Sequence, residues 1–143
     1  MKDQKLLFMC TGNSVRSQMA EGFARRLAED GLVVLSAGVV ATEVHPLAAA
    51  VMRERGIDLS GHTSKSLWAL PWWSVDMVVT LSEEADACWK GLPASTPRLH
   101  WALWDPSRAR GADESLAEFR GLRDEIEGRI RTLLADLGFL REE

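Results

Sequence analysis

The chain has 143 residues, enough for one domain with its own core, and its apolar (46%) and charged (27%) fractions are ordinary for a globular protein. A formal net charge of -4 gives no support to a nucleic-acid backbone as partner, and two cysteines make no disulfide framework. The run Leu6–Cys10 is too short for a signal-peptide core, and the stretch from Leu32 to Ala41, interrupted by Ser36 and Gly38, is far short of a membrane span. A soluble, cytoplasmic chain, monomeric by default and forming one domain over residues 1–143, is expected.

In chain order, Lys5 to Met9 reads as a short buried strand. Cys10 to Arg16 is a polar loop holding Gly12 and Asn13, residue types that tolerate left-handed backbone. Ser17 to Asp30 reads as a helix, with Met19, Phe23 and Leu27 at four-residue spacing and Gly31 as its stop. Leu32 to Leu35 is a second strand. Leu47 to Arg55 is a second helix, and Thr63 or Ser64 caps a short helix into Leu67. Val75 to Leu81 is a third strand, and Ser82 caps a short acidic helix reaching Cys88. Leu99 to Leu103 is a fourth strand, closed by Asp105-Pro106. A long helix from Glu114 to Leu137 carries the stripe Leu116, Phe119, Ile126, Ile130, Leu133 and Leu137. Strands alternating with helices predict an α/β fold with a parallel, doubly wound sheet. Ligands of such folds sit beyond the carboxyl ends of the strands, where this chain places Cys10–Arg16, Ser82 and Asp105.

A strand, a polar loop and a helix start make an anion site. Amides from Thr11 through Gly12, Asn13, Ser14 and Val15 to Arg16 can turn inward, the helix N-terminus adds positive potential, and Arg16 offers a two-pronged donor. Cys10 at the floor of such a ring is favoured as thiolate, and Ser17 can hydrogen-bond it. These residue types suit in-line attack by sulfur on a tetrahedral oxyanion. Asp105 can then protonate the departing oxygen, although an Asp-Pro pair by itself is commonly just a turn.

The run from Cys10 to Gly22, CTGNSVRSQMAEG, resembles the signature of the low-molecular-weight protein tyrosine phosphatase superfamily, and more narrowly the arsenate reductases that share its fold. Ser36-Ala-Gly38, the segment from Gly56 to Ser64, Val78 to Leu81, and Trp101 through Pro106 agree with that branch. The resemblance implies a single-domain four-stranded parallel sheet flanked by helices, with Cys10 as nucleophile, Arg16 as oxyanion ligand and Asp105 as general acid. It further implies arsenate reduction to arsenite through thiolate attack, with residual phosphatase activity. Phosphate-monoester hydrolysis through a phosphocysteine is the alternative, and a non-catalytic oxyanion binder a second one.

Thioredoxin-coupled relatives usually carry two further thiols. Here the first position is Ser82 and the second survives as Cys88, a candidate redox partner; Val15 replaces a cysteine found in many relatives. Either Cys88 attacks the Cys10–arsenic adduct directly, the slightly favoured route, or an external thiol does so. That donor can be thioredoxin, glutaredoxin with glutathione, or another small thiol; no metal or other cofactor is expected. Phosphatases of the family often place tyrosine after Asp-Pro, where this chain has Ser107. Asn13, Glu21 and Ser36 resemble positions that hold potassium in some reductases, and Lys65 stands where the fourth, acidic position falls; either its ammonium replaces the ion or it is a solvated surface lysine. His62 is expected to have a structural hydrogen-bonding role.

Overall fold

The computed structural model describes residues 3–106 and 112–142, with no side-chain description for 112–115. Four strands, β1 (Gln4–Cys10), β2 (Leu32–Gly38), β3 (Met77–Thr80) and β4 (Arg98–His100), form one parallel sheet in the order β2-β1-β3-β4. The helices are α1 (Arg16–Leu27), α2 (Pro46–Arg53), α3 (Glu83–Lys90) and α4 (Ala112–Leu137). Alternation along β1 divides the interior. Leu6, Phe8 and Cys10 join a core with α1, α2 and α4, including Met19, Phe23, Val51, Phe119, Ile126 and Ile130. Leu7 and Met9 face a smaller cluster under α3, with Val78, Ala85 and Trp89.

The strand order explains where the site falls. From β1 the chain moves outward to β2, and from β3 it moves the other way to β4. Right-handed crossovers therefore put α1 and α3 on opposite faces. A crevice opens at the carboxyl ends of β1 and β3, where the direction switches, and Cys10 and Ser82 border it.

Several boundaries differ from the sequence reading. Helix α1 stops at Leu27 rather than Asp30, because Ala28 turns extended and bridges Leu140, while Arg141 N–H donates to Leu27 O at 2.8 Å. The fourth strand ends at His100, not Leu103. The chain peels away after Trp101 so that Leu103 O can accept from Arg16 at 3.2 Å. Neither Thr63 nor Ser64 caps the short turn Leu67–Ala69; Ser66 does, because Ser64 is held by the loop at Gly12. On α4, Leu134 fills the core while Leu137 is exposed. No helix of the described residues is long and apolar enough to cross a membrane.

Candidate active site

The loop between β1 and α1 is defined by where its carbonyls go. Cys10 O accepts from Val39 N (3.1 Å), Thr11 O from Val40 N (3.1 Å), Ser14 O from His45 N (3.0 Å) and Val15 O from Met19 N (2.9 Å). Gly12 O accepts from Thr42 Oγ1 (2.8 Å) and Ser64 Oγ (3.0 Å), and Asn13 O from Gln18 Nε2 (3.2 Å). Every carbonyl from 10 to 15 is thus engaged from outside. Among the described residues, no backbone N–H of residues 11–15 donates to a protein group. Of these residues, Thr11, Gly12, Ser14 and Val15 line a cavity of about 230 Å³ together with Cys10, Arg16, Thr42 and Asp105. A ring of unspent N–H dipoles at a helix start is a receptor for a tetrahedral anion.

Asn13 makes the tight curl. Its φ of 49° is in the left-handed region, which asparagine tolerates better than most residues. The side chain is wholly buried, and its amide works in two directions. Nδ2 donates to Ser17 Oγ (2.8 Å) and Ser36 Oγ (3.0 Å), while Oδ1 accepts from Lys65 N (2.9 Å) and Gln18 Nε2 (3.1 Å). Because Ser17 Oγ accepts from Asn13, its proton is free for Cys10 Sγ, 2.9 Å away. Ser36 likewise donates to Glu21. The buried amide therefore orients one hydroxyl toward the sulfur and another toward the carboxylate. Gly38 closes the loop from behind: a Cβ there would lie 2.6 Å from Asn13 N and 2.5 Å from Val40 O.

Arg16 is 8% exposed and held by carbonyls of the segments that follow β3 and β4. Its Nη1 donates to Leu103 O (3.2 Å) and reaches Leu81 O (3.5 Å), and its Nη2 lies 3.6 Å from Asp105 Oδ2. The structure thus brings Cys10, Arg16, Ser17, Asp105 and the loop amides to one crevice.

Glu21 is buried beside the loop among basic side chains. Arg25 pairs with it at 2.8 Å, His62 Nδ1 lies 3.8 Å away, and Lys65 Nζ stands 4.0 Å from Oε1 while donating to Thr63 O at 3.1 Å. Burial pushes the Lys65 ammonium below its usual range, opposed by attraction to Glu21. Burial also lowers His62, whose Nδ1 lies 2.9 Å from Gln18 Oε1. Among the described residues, no three His, Cys, Asp or Glu side chains gather as a metal site.

Cys88 is the outlier among the expected site residues. Both cysteines are free, but Cys10 belongs to the core under α1 while Cys88 packs with the cluster under α3, across the sheet. Burial raises the Cys88 thiol above its ordinary range, which disfavours the nucleophilic thiolate. Ser82, by contrast, touches the loop. Its Oγ accepts from Thr11 Oγ1 (3.0 Å) and caps α3 through Ala85 N (3.1 Å). The sequence assigned no site role to Gln18, Gly38 or Thr42, and gave Ser64 only a helix-capping one. Gly38 and Ser64 lie in runs matching the reductase branch, the only signal pointing to them; Thr42 carried none. Ser107 lies outside the described residues.

The profile described as low molecular weight phosphotyrosine protein phosphatase matches residues 5–142. The chain belongs to that family. It is 44% identical over 134 residues to an arsenate reductase of Halalkalibacterium halodurans, covering 92% of this chain and 96% of the relative. A solved arsenate reductase in its phosphate-binding state is similar at TM-score 0.75 and 35% identity, over 93% of this chain and 98% of that one. A thioredoxin-dependent arsenate reductase of Corynebacterium glutamicum matches at TM-score 0.74 and 28% identity, over 96% of this chain and 63% of that one.

Proposed function

We propose that this family member is a cytoplasmic, monomeric arsenate reductase in which Cys10 is the nucleophile. The supporting observation is the Asn13–Ser17–Cys10 hydrogen-bond chain at the floor of a loop whose carbonyls are all turned outward. Arsenate sits on the amides of residues 11–16 and on the Arg16 guanidinium, and the Cys10 thiolate attacks arsenic in line. Asp105 donates a proton to the departing oxygen, which leaves as water. A covalent Cys10–arsenic(V) adduct remains. A non-catalytic oxyanion binder has no use for either the sulfur or the acid.

Electrons must then come from thiols. Cys88 is poorly placed to supply them, so the reading favours an external thiol: thioredoxin, glutaredoxin with glutathione, or a small-molecule thiol. Phosphatase activity is the second reading, and Ser82 is the observation favouring it, since a serine beside the loop leaves a phosphocysteine open to water. In the Glu21 cluster, Lys65 takes the place of a bound cation alongside Asn13, Glu21 and Ser36. One pair of assays on purified protein tests the proposal: arsenite release with alternative thiols, and hydrolysis of an aryl phosphate. Arsenite release that requires Cys10 is expected. Aryl-phosphate cleavage with no arsenite under any thiol would transfer the assignment to the phosphatase reading.

A further inference from the structure

A second cavity, about 420 Å³, adjoins the oxyanion crevice and is lined by Arg16, Ser82, Glu83, Glu84, Ala102, Leu103, Trp104 and Asp105. Arg16 and Asp105 line both cavities, so they meet at the reaction centre. Its inner end is Ser82, which hydrogen-bonds the loop beside Cys10. Its outer wall includes the Trp104 indole, 53% exposed. Glu83 and Glu84 occupy the first turn of α3, and among the described residues neither is ion-paired. Carboxylates without an ion-pair partner beside an anion receptor repel its ligand, so the oxyanion gains nothing from them. A second reactant of opposite charge does.

We propose that this cavity is the subsite for the reducing thiol, and that it selects a small thiol carrying an ammonium group. This rests on the reductase reading above. The ammonium faces Glu83 and Glu84, the carbon body lies on Trp104, where cation–π attraction adds to contact, and the sulfur passes Ser82 toward Cys10. The thiolate attacks Cys10 Sγ and forms a mixed disulfide. The sulfur–arsenic bond breaks, and its electron pair leaves on arsenic, which becomes arsenite. A second thiol attacks the mixed disulfide, releasing the symmetrical disulfide and returning Cys10 to the thiolate. Two thiols lose two electrons, arsenic(V) gains two, and one oxygen departs as water with protons supplied by the thiols. Ser82 leaves this approach unblocked by any internal thiol.

The test uses three thiols of similar size, cysteamine, 2-mercaptoethanol and 3-mercaptopropionate, compared at equal thiolate concentration. Arsenite release should saturate with cysteamine, with kcat/KM about tenfold above that for mercaptopropionate. In Glu83→Lys/Glu84→Lys the ratio of the two kcat/KM values should invert, and because the ratio is internal, a general loss of activity does not mimic it. Trp104→Ala should raise KM for cysteamine more than it lowers kcat. A parallel experiment omits arsenate. Reduced protein is mixed with cystamine or with the disulfide of mercaptopropionate, and Cys10 mixed disulfide is followed by peptide mass spectrometry. The cationic disulfide should react faster, and the double variant should reverse the order. An anionic preference in the wild type, or a ratio unmoved by the double variant, overturns the subsite. If no thiol releases arsenite yet the exchange keeps its cationic preference, the reductase reading fails while the charge-selective cavity stands.

Discussion

The two sides of the crevice are built to different standards. On the α1 side, Asn13, Ser17, Gln18, Ser36 and Glu21 are buried in one hydrogen-bonded network, in which Asn13 joins Ser17, Gln18 and Ser36, and Ser36 joins Glu21. On the α3 side, the surface facing the crevice holds a serine, two exposed carboxylates and an exposed tryptophan, while the remaining cysteine lies across the sheet. A buried polar network costs several kcal/mol when half satisfied, so it persists only where one geometry is required. On the proposed reading, the side that would form the covalent adduct is preorganised within the protein, whereas the side from which the adduct would be consumed is open to a partner.

The sharpest way to break this comparison is to remove the sulfur. Cys10→Ser should lower arsenite release and aryl-phosphate hydrolysis by about 10⁴-fold or more while still binding phosphate by calorimetry. Substantial turnover would place the nucleophile elsewhere. Arg16→Lys keeps the charge but loses the fork held by Leu103 O and Leu81 O, and should cost about 10²–10³-fold in kcat/KM. Asp105→Asn should slow aryl-phosphate cleavage about 10²-fold for poor leaving groups and much less for good ones; equal losses would argue against proton donation.

Ser82→Cys sharpens the comparison from the other side. With position 82 already touching Thr11, a thiol there should allow one turnover of arsenate to arsenite without added reductant, leaving a disulfide to residue 10 by peptide mapping. No arsenite from that variant would mean the crevice is closed to attack from α3.

Smaller effects concern what holds α3. Asp86 anchors it to the sheet edge, accepting from Thr80 Oγ1 (2.8 Å) and pairing with Arg98 and with Lys90 (3.1 Å). Burial raises this carboxyl, but the hydrogen bonds from Thr80 and Lys90 and the Arg98 and His100 charges outweigh it and hold it below the usual range. A depressed carboxyl stabilises the fold above its unfolded value of about 3.9 and ceases to do so as pH falls through the folded value. Asp86→Asn should therefore lower Tm at neutral pH and flatten the loss of Tm below about pH 4, followed by circular dichroism. The smallest expected effect is a null: exchanging sodium for potassium should leave Tm unchanged, because Lys65 already faces Glu21, whereas Lys65→Asp should make Tm potassium-sensitive.

Much of this was legible in the residues. The alternation of apolar runs with helical periodicity gave the parallel sheet, and Cys10, Gly12, Asn13 and Arg16 carry their chemistry in their types and spacing. Long-range partners were not legible. Gly38 matters because a backbone 25 residues earlier in the chain passes within contact distance of it, and Ser64 because Gly12 O needs a second donor. The extent of β4 escapes local pattern for the same reason: Arg16, more than eighty residues upstream, claims the carbonyl of Leu103. The placement of Cys88 across the sheet from Cys10 followed from α3 packing on the face opposite α1, which connection handedness sets and local pattern does not.

On the proposed reading, Cys10 forms the adduct alone and a thiol from outside resolves it. The direct measurement mixes reduced protein with arsenate in a single turnover without added thiol, then maps both cysteines by mass spectrometry while arsenite is assayed. The account predicts no arsenite and no disulfide until a thiol is supplied, after which arsenite appears together with a mixed disulfide on Cys10. Arsenite released without added thiol, together with a linked Cys10–Cys88 peptide, would contradict it.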